Sequence, residues 1–493
     1  MRWPAHGARV RVRLAVLRLA VAGAAAVGIG GCGDGHAGST GAAGTRPSAS
    51  TGATGASTLA GTPVADHGPA PPPRARLTPT ERTLIGRLQR QFGLAGGATG
   101  GYVYDITTGR VLFALRDAVK RPPASVEKLF TTFAVLKMLG PKLRLHTIVY
   151  GTGHLGAGGV WHGNLYLRGG GDPTFGDGAF NQNWLGGYGP TSTQLANQLV
   201  HDGIRSVTGK VIGDASLFDA MRGPPSSGFQ PDIPDLGGEL SALTYDHGAS
   251  GPTPGMPGYS ITGATGATGT AADGDARKPP APLTPGAFAA HQFVVTLAQM
   301  HVRATAAPRT HVTPPHARRL AIVSSPPMSV MLRLMDVPSD DFFAEMLTKQ
   351  LGVRIVGHGT TADGALVIRS ALLGYHLHPH VVDGSGLSRK DLTSPDEVVE
   401  LLRDLNGTPT GAILDASLPT VGVDGTVRTI AMGTTAVGRC IAKTGTLNNV
   451  SNLAGYCHSR GHQLVAFGLF VDGPPNWIAL TEIGRMVAAI ANY

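Results

Sequence analysis

The chain has 493 residues, of which 42% are hydrophobic and 15% charged. That is enough apolar material for a large core, so a wholly disordered chain is excluded; three cysteines exclude a disulfide-dense scaffold. The formal charge of +9 suggests a nucleic-acid partner, but Arg2, Arg9, Arg11, Arg13 and Arg18 supply +5 of it ahead of the first acid, Asp34. The remainder holds no Lys/Arg run interleaved with aromatics, and nucleic-acid binding is set aside.

The basic start leads into an apolar run, Leu19 to Ile29, which is shorter than the ~20 residues a membrane-spanning helix needs. A charged segment followed by a short apolar one is the pattern of an export signal. The run closes on Ile29-Gly30-Gly31-Cys32, which resembles a bacterial lipobox. Residues 1–31 are therefore expected to be a lipoprotein signal peptide and Cys32 a lipid-bearing anchor to the membrane. The alternative is an ordinary signal peptide that contains a cysteine. Residues 32–75, rich in Gly, Ala, Ser, Thr and Pro, cannot bury enough surface to fold and read as a tether.

Folding is expected from about Leu77. Thr78-Pro79-Thr80-Glu81 is a capping box with proline at the first helical position, and Leu84, Ile85, Leu88 and Phe92 recur at helical spacing. Tyr102 to Asp105, a Thr-Thr-Gly turn at 107–109 and Val111 to Phe113 predict a β-hairpin. A second helix is expected from about Ser125 through Leu136. Between about 141 and 318 short β-rich pieces alternate with Gly-rich turns, and 248–285 is low in complexity. Helices are predicted again over Asp341 to Leu351 and Pro395 to Leu405. Val437 to Ala442 and Leu453 to Tyr456 read as paired strands, followed by Gln463 to Val471 and a closing amphipathic helix, Trp477 to Ile490. This is an α+β plan: a body formed by 76–140 and 319–493, split by an insertion at 141–318.

Three short motifs carry chemistry. In Ser125-Val126-Glu127-Lys128, helical spacing puts Lys128 beside Ser125, where a lysine can activate a hydroxyl that is otherwise a poor nucleophile. Ser339-Asp340-Asp341 opens a helix and, alone, reads as an ordinary N-cap. Lys443-Thr444-Gly445-Thr446 ends an apolar strand; the lysine suits an anion, and the glycine lets a ligand approach the backbone.

In that chain order the three resemble the S-x-x-K, S-D-N and K-T-G set of penicillin-binding proteins and class A β-lactamases. The whole region from about 77 onward resembles the D-alanyl-D-alanine carboxypeptidase/endopeptidases, the class C low-molecular-mass penicillin-binding proteins. Gly163-Asn164-Leu165-Tyr166-Leu167, Gly169-Gly170-Gly171-Asp172-Pro173, Val211-Ile212-Gly213-Asp214, Asp383-Gly384-Ser385-Gly386-Leu387-Ser388 and Gly422-Val423-Asp424-Gly425-Thr426 extend the likeness. The sequence separation of 214 from Ser125 to Ser339 sets it apart from compact β-lactamases, which have no room for an insertion there.

The resemblance implies a β-lactamase/penicillin-binding transpeptidase-like fold with a β-rich insertion, acting on peptidoglycan stem peptides. It implies Ser125 as nucleophile, Lys128 as general base and Ser339 as proton relay. Lys443, Thr444 and Thr446 would receive the substrate carboxylate, and the N–H groups of Ser125 and Thr446 would form the oxyanion hole. No metal or cofactor is required, and β-lactam antibiotics would acylate Ser125. One position departs from the family pattern: Asp341 stands where asparagine is usual. A carboxylate only accepts, whereas an amide also donates, and a negative charge would hold Lys128 as an ammonium. Asp341 thus leaves open a catalytically impaired scaffold or peptidoglycan-binding lipoprotein of the same fold.

His376, His378 and His380 alternate, but Pro379 argues against a central strand and for a solvated loop in place of a metal site. Ser385 is not in a nucleophile elbow and belongs to a turn. If the strands around Lys443 and Leu453 pair about a turn at Asn448-Asn449, Cys440 and Cys457 face each other, which leaves a disulfide or two reduced buried cysteines.

Overall fold

The computed structural model describes residues 77–227, 238–248 and 283–493. The expected signal peptide, tether and Cys32, and most of the low-complexity stretch 248–285, lie outside the described residues.

The capping box forms as its residues dictate. The Thr78 hydroxyl accepts from Glu81 N at 3.1 Å, and Thr78 N donates back to the Glu81 carboxylate at 2.6 Å, starting α1 (Pro79–Ala95). The hairpin follows as β1 (Ala98–Asp105) and β2 (Arg110–Leu115), then α2 (Lys128–Met138). The stretch expected to be β-rich is mixed. It holds β3 (His146–Gly151), β4 (His154–Leu155), β5 (Val160–His162), β6 (Leu165–Arg168), α3 (Gly178–Trp184), α4 (Ser192–His201), β7 (Ser206–Val207), β8 (Val211–Asp214), α5 (Pro285–Gln299) and β9 (Arg318–Ser324). The helices start on caps that the sequence carries: Asp177, a Thr191/Gln194 capping box, and Thr284 followed by Pro285. Its four-stranded sheet has the order β8-β6-β3-β9, so β9 belongs to it and its sheet runs to Ser324 instead of ending at 318; a small three-stranded sheet is β4-β5-β7. These elements share a core of their own, with Trp161, Leu199, Phe288 and Phe293 buried in it.

The chain then returns through α6 (Met328–Asp336), α7 (Asp341–Leu351), α8 (Thr361–Leu373), α9 (Pro395–Leu405) and α10 (Pro409–Ser417) to β10 (Cys440–Leu447), β11 (Val450–His458), β12 (Leu464–Asp472) and α11 (Asn476–Ala491). The main sheet is antiparallel throughout its five strands, in the order β10-β11-β12-β1-β2. Period-2 alternation gives it two apolar faces. Val465, Phe467, Leu469 and Val471 pack with α1 and α11, while Ala466 and Phe470 face the helical layer that includes α2, α7 and α9. Strands β10 and β11 are longer than expected and turn at Asn448-Asn449, with Cys440 opposite Cys457. The two cysteines are joined by a disulfide.

Candidate active site

The three motifs come from separate elements that meet where α2, α7 and β10 converge. Ser125 lies on a single 3-10 turn, Ala124–Glu127, and the α-helix begins only at Lys128. The residue before it, Ala124, takes a left-handed backbone (φ 49°), and so does Ser339 (φ 65°). Non-glycine residues in that region cost ~1–3 kcal/mol each and persist where packing over-determines them. Gly445 shows the packing: a Cβ there would stand 2.3 Å from the Pro123 carbonyl oxygen. Only glycine lets β10 press against the turn carrying Ser125. Asn452 on β11 ties down the same turn, its amide donating to Pro122 O and Pro123 O, both at 2.9 Å.

Lys128 is fully buried. Its Nζ lies 2.9 Å from Ser125 Oγ and 2.8 Å from the Ser385 carbonyl oxygen, and it also contacts Asp341 Oδ1. A lysine nitrogen has four tetrahedral positions, one of them taken by carbon. Ser385 O and Asp341 each take an N–H, so the remaining position points at the Ser125 hydroxyl. With three N–H bonds it donates to Oγ; with two it accepts the hydroxyl proton there.

The Ser385 carbonyl is itself fixed. Glu345, one turn after Asp341 on α7, accepts from Gly384 N at 3.1 Å and Ser385 N at 2.9 Å. Asp383 accepts from Gly386 N at 2.7 Å and Ser388 N at 3.0 Å, and Thr131 Oγ1 donates to Gly384 O at 2.8 Å. Burial raises the carboxyls beneath the site. Glu345 is pushed up to about 8 and Asp391 to about 11, in both cases with the Asp383 charge adding to the effect. Glu127 goes well up for the same reasons, and neither of its carboxyl oxygens has a hydrogen-bond partner.

On the opposite wall Lys443, also fully buried, sits within β10 and not at a strand end. It donates to Ser339 Oγ at 2.6 Å and to Thr444 O at 3.1 Å. Burial and the neighbouring Lys128 charge lower it to about 7. Burial lifts Asp341 to about 6 against the pull of Lys128. The Thr444 hydroxyl pairs with that of Thr426 at 2.7 Å. Ser125, Ser339, Asp341, Thr444 and Thr446 all line one cavity of about 850 Å³.

Ser125, Lys128, Ser339, Asp341, Lys443, Thr444, Gly445 and Thr446 thus come together here, and Cys440 and Cys457 lie on the strands that build the site; residues 165–167 and Val211–Asp214 belong instead to the sheet of the insertion. The sequence reading did not find Glu345, Asn452 or the structural use of the Ser385 carbonyl. Asn452, a polar residue inside an apolar strand, was the available signal. His380 pairs with Leu392 through backbone bonds, and no group of three potential metal ligands occurs among the described residues.

An α+β body with a five-stranded antiparallel sheet, helices on both faces and these motifs at the starts of α2 and α7 and on β10 is of the penicillin-binding, β-lactamase-like class. Residues 85–236 and 276–493 match the D-Ala-D-Ala carboxypeptidase 3 (S13) family, and the chain belongs to it. It is 29% identical over 475 residues to a D-alanyl-D-alanine carboxypeptidase of Actinomadura sp. strain R39, covering 85% of this chain and 86% of that one. It is 28% identical over 446 residues to carboxypeptidase DacB of Mycolicibacterium smegmatis, covering 86% and 88%. The crystal structure of penicillin binding protein 4 (dacB) from Haemophilus influenzae shares the fold with a TM-score of 0.66 at 20% identity, over 82% of this chain and 99% of that one.

Proposed function

We propose that the protein is a serine-type D-Ala-D-Ala carboxypeptidase/endopeptidase that cleaves peptidoglycan stem peptides through an acyl-enzyme on Ser125. The observation that carries this is the Lys128 Nζ to Ser125 Oγ contact of 2.9 Å, with the other Nζ positions occupied by fixed acceptors. Ser125 Oγ bonds to the carbonyl carbon between the two D-residues as its proton passes to Lys128 Nζ. The N–H groups of Ser125 and Thr446 stabilise the oxyanion. Ser339 relays that proton from Lys128 to the leaving amine as the C–N bond breaks, so that Lys128 is again an amine and Ser339 keeps its hydroxyl. Water then splits the ester and regenerates the hydroxyl. Lys443, beside Thr444 and Thr446, supplies the positive charge for the carboxylate of the leaving residue, and Gly445 keeps the strand close. Substrate specificity on the acyl side, and acylation of Ser125 by β-lactams, belong to the same reading.

D-alanine release from a pentapeptide ending in D-Ala-D-Ala tests it. Ser125→Ala should reduce release to background, and turnover well above background in a folded Ser125→Ala protein would remove Ser125 from the role. The ion pair between Lys128 and Asp341 favours a second reading, a scaffold with the same fold and little turnover. It predicts no D-alanine release from the wild type either.

The domain plan proposed is a catalytic body split by an insertion, 76–140 with 325–493 and 141–324, the 318/319 boundary of the sequence reading moving to follow β9 (Arg318–Ser324). We also propose export by the signal at 1–31 and anchoring through lipid on Cys32, with 32–75 as the tether. Among the described residues no helix is long and apolar enough to cross a membrane. Cys32→Ala should move the protein from the membrane to the soluble fraction; retention on the membrane would refute the anchor.

A further inference from the structure

The helical layer formed by α1 and α11 carries exposed charge of one sign. Both helices lie on the same face of the main sheet and pack against each other. The loop 426–439 joins the layer through Val427, Ile430 and Ala436, which share its core. Residues 77–97, 426–439 and 476–493 hold six arginines, Arg82, Arg87, Arg90, Arg428, Arg439 and Arg485, and all six are exposed. The same stretches hold two acidic side chains, Glu81 and Glu482, and both are buried. Glu81 is taken up by Arg110 of β2 and Glu482 by Arg485. Among the described residues no carboxylate pairs with the other five; Arg82 donates only to Leu77 O.

Helix periodicity explains the arrangement. α1 buries Leu84, Leu88, Phe92 and Ala95. At about 3.6 residues per turn, Arg82, Arg87, Arg90 and Leu94 fall on its opposite side. α11 buries Ala479, Ile483, Val487 and Ile490, and Trp477, Thr481 and Arg485, about one turn apart, face away from them. Leu94 and Met432 are exposed, and Trp477, at 72%, is the most exposed large hydrophobic side chain among the described residues. A soluble polyanion needs only the charge. An indole and long aliphatic side chains set among arginines match a lipid surface, where the apolar groups reach below the headgroups and the guanidiniums stay at phosphate level.

We propose that this face is a docking surface for an anionic lipid bilayer. The arginines meet lipid phosphates, and Trp477, Leu94 and Met432 enter the interface. The docking is independent of the acyl-transfer reading. It adds to the proposed anchor at Cys32, since stable attachment takes two signals where one is marginal. The face alone is weak and screened by salt, so loss of the lipid still releases the protein at ordinary ionic strength. Leu480, Thr481 and Arg485 of α11 also line the Ser125 cavity. Docking would therefore hold that cavity beside the bilayer and direct the enzyme to the wall layer nearest the membrane.

The test uses the exported form, residues 32–493, with Cys32→Ala so that no lipid is attached. Vesicles of equal parts phosphatidylglycerol and phosphatidylcholine should sediment the protein at about 0.05 M salt and release it at about 0.5 M. Vesicles of phosphatidylcholine alone should not bind it. Each arginine near an anionic surface is worth about fivefold in partitioning, so Arg87→Gln with Arg90→Gln should weaken binding roughly 25-fold. Arg87→Lys with Arg90→Lys should leave it nearly unchanged. The melting temperature checks that neither pair disturbs the fold. The fluorescence difference between wild type and Trp477→Phe isolates Trp477, and it should shift to the blue on the anionic vesicles. No binding at low salt, or equal binding to both kinds of vesicle, overturns the docking face. So does binding that Arg87→Gln with Arg90→Gln leaves unchanged, because it would then come from another part of the chain. Binding without a Trp477 shift overturns the lipid assignment and leaves a charge-only surface for a soluble polyanion.

Discussion

Replacing Asp341 by asparagine changes one oxygen for an NH₂ at the contact with Lys128, and its consequences can be worked out from the site. Asp341 is 8% exposed, and Lys128 is fully buried against it. Two unit charges near 4 Å attract by about 4 kcal/mol at an effective dielectric of ~20. The ion pair with Asp341 therefore competes with the step in which Nζ takes the Ser125 proton. Asparagine keeps an acceptor for Nζ, removes the charge and adds a donor toward the cavity. Taking about a third of that attraction, because the site opens to solvent, acylation by benzylpenicillin at pH 7 should quicken on the order of tenfold. A stopped-flow time course of acylation measures it directly. The wild-type pH profile should also carry an inflection near the Asp341 value of about 6, and the variant should lack it. Slower acylation in a variant with an unchanged melting temperature would refute this reasoning, because Asp341 would then help Lys128 act as a base.

Other expectations concern the frame around the site. Removing the disulfide by Cys440→Ser with Cys457→Ser opens a loop with a sequence separation of 17, and loop-closure entropy puts the loss near 3 kcal/mol; denaturant unfolding should show it, and an unchanged midpoint would assign the bond no stabilising role. Glu345 is raised to about 8 from an ordinary 4.5. The folded state thus holds its proton more tightly, and this stabilisation is complete below about pH 4.5 and lost as pH rises through 8. Glu345→Gln keeps the acceptor for Gly384 N and Ser385 N and should flatten the fall in melting temperature between pH 5 and 9; an equally steep fall would place the titration elsewhere. Asn452→Ala removes the side-chain donor to Pro122 O and Pro123 O, of which the second keeps Val126 N, and should cost ~1–3 kcal/mol and slow acylation; Asn452→Asp should not restore it, since a carboxylate cannot donate.

What could be read from the residues depended on how local the cause was. The capping box at Thr78 and the stripe Val398, Val399, Leu402 and Leu405 on α9 are short-range signals, and those helices formed where expected. The strands β10 and β11 were placed too narrowly because Lys443, Thr444, Ser451 and Asn452 break the apolar pattern. Three of these four polar side chains are buried for reasons of the site: Lys443 reaches Ser339, Thr444 reaches Thr426, and Asn452 holds the Ser125 turn. The helices of the insertion were missed although Asp177 and Thr191 supplied caps, because Gly-rich segments around them dominated the texture. Ser125 was expected to open a helix and instead sits on a 3-10 turn, since α2 begins only where the turn is held by β10 and β11. The buried carboxylates were not legible at all. Glu345 acts on Ser385 forty residues away, and nothing in its own neighbourhood says which backbone it will hold.

The central claim is that Ser125 is a working nucleophile activated by Lys128. Intact-mass spectrometry of the purified protein after incubation with benzylpenicillin tests it most directly, with hydrolysis of the free penicillin followed in the same sample. The account predicts a stoichiometric mass increase that is absent in Ser125→Ala. A folded wild type that neither gains mass nor consumes penicillin would contradict it.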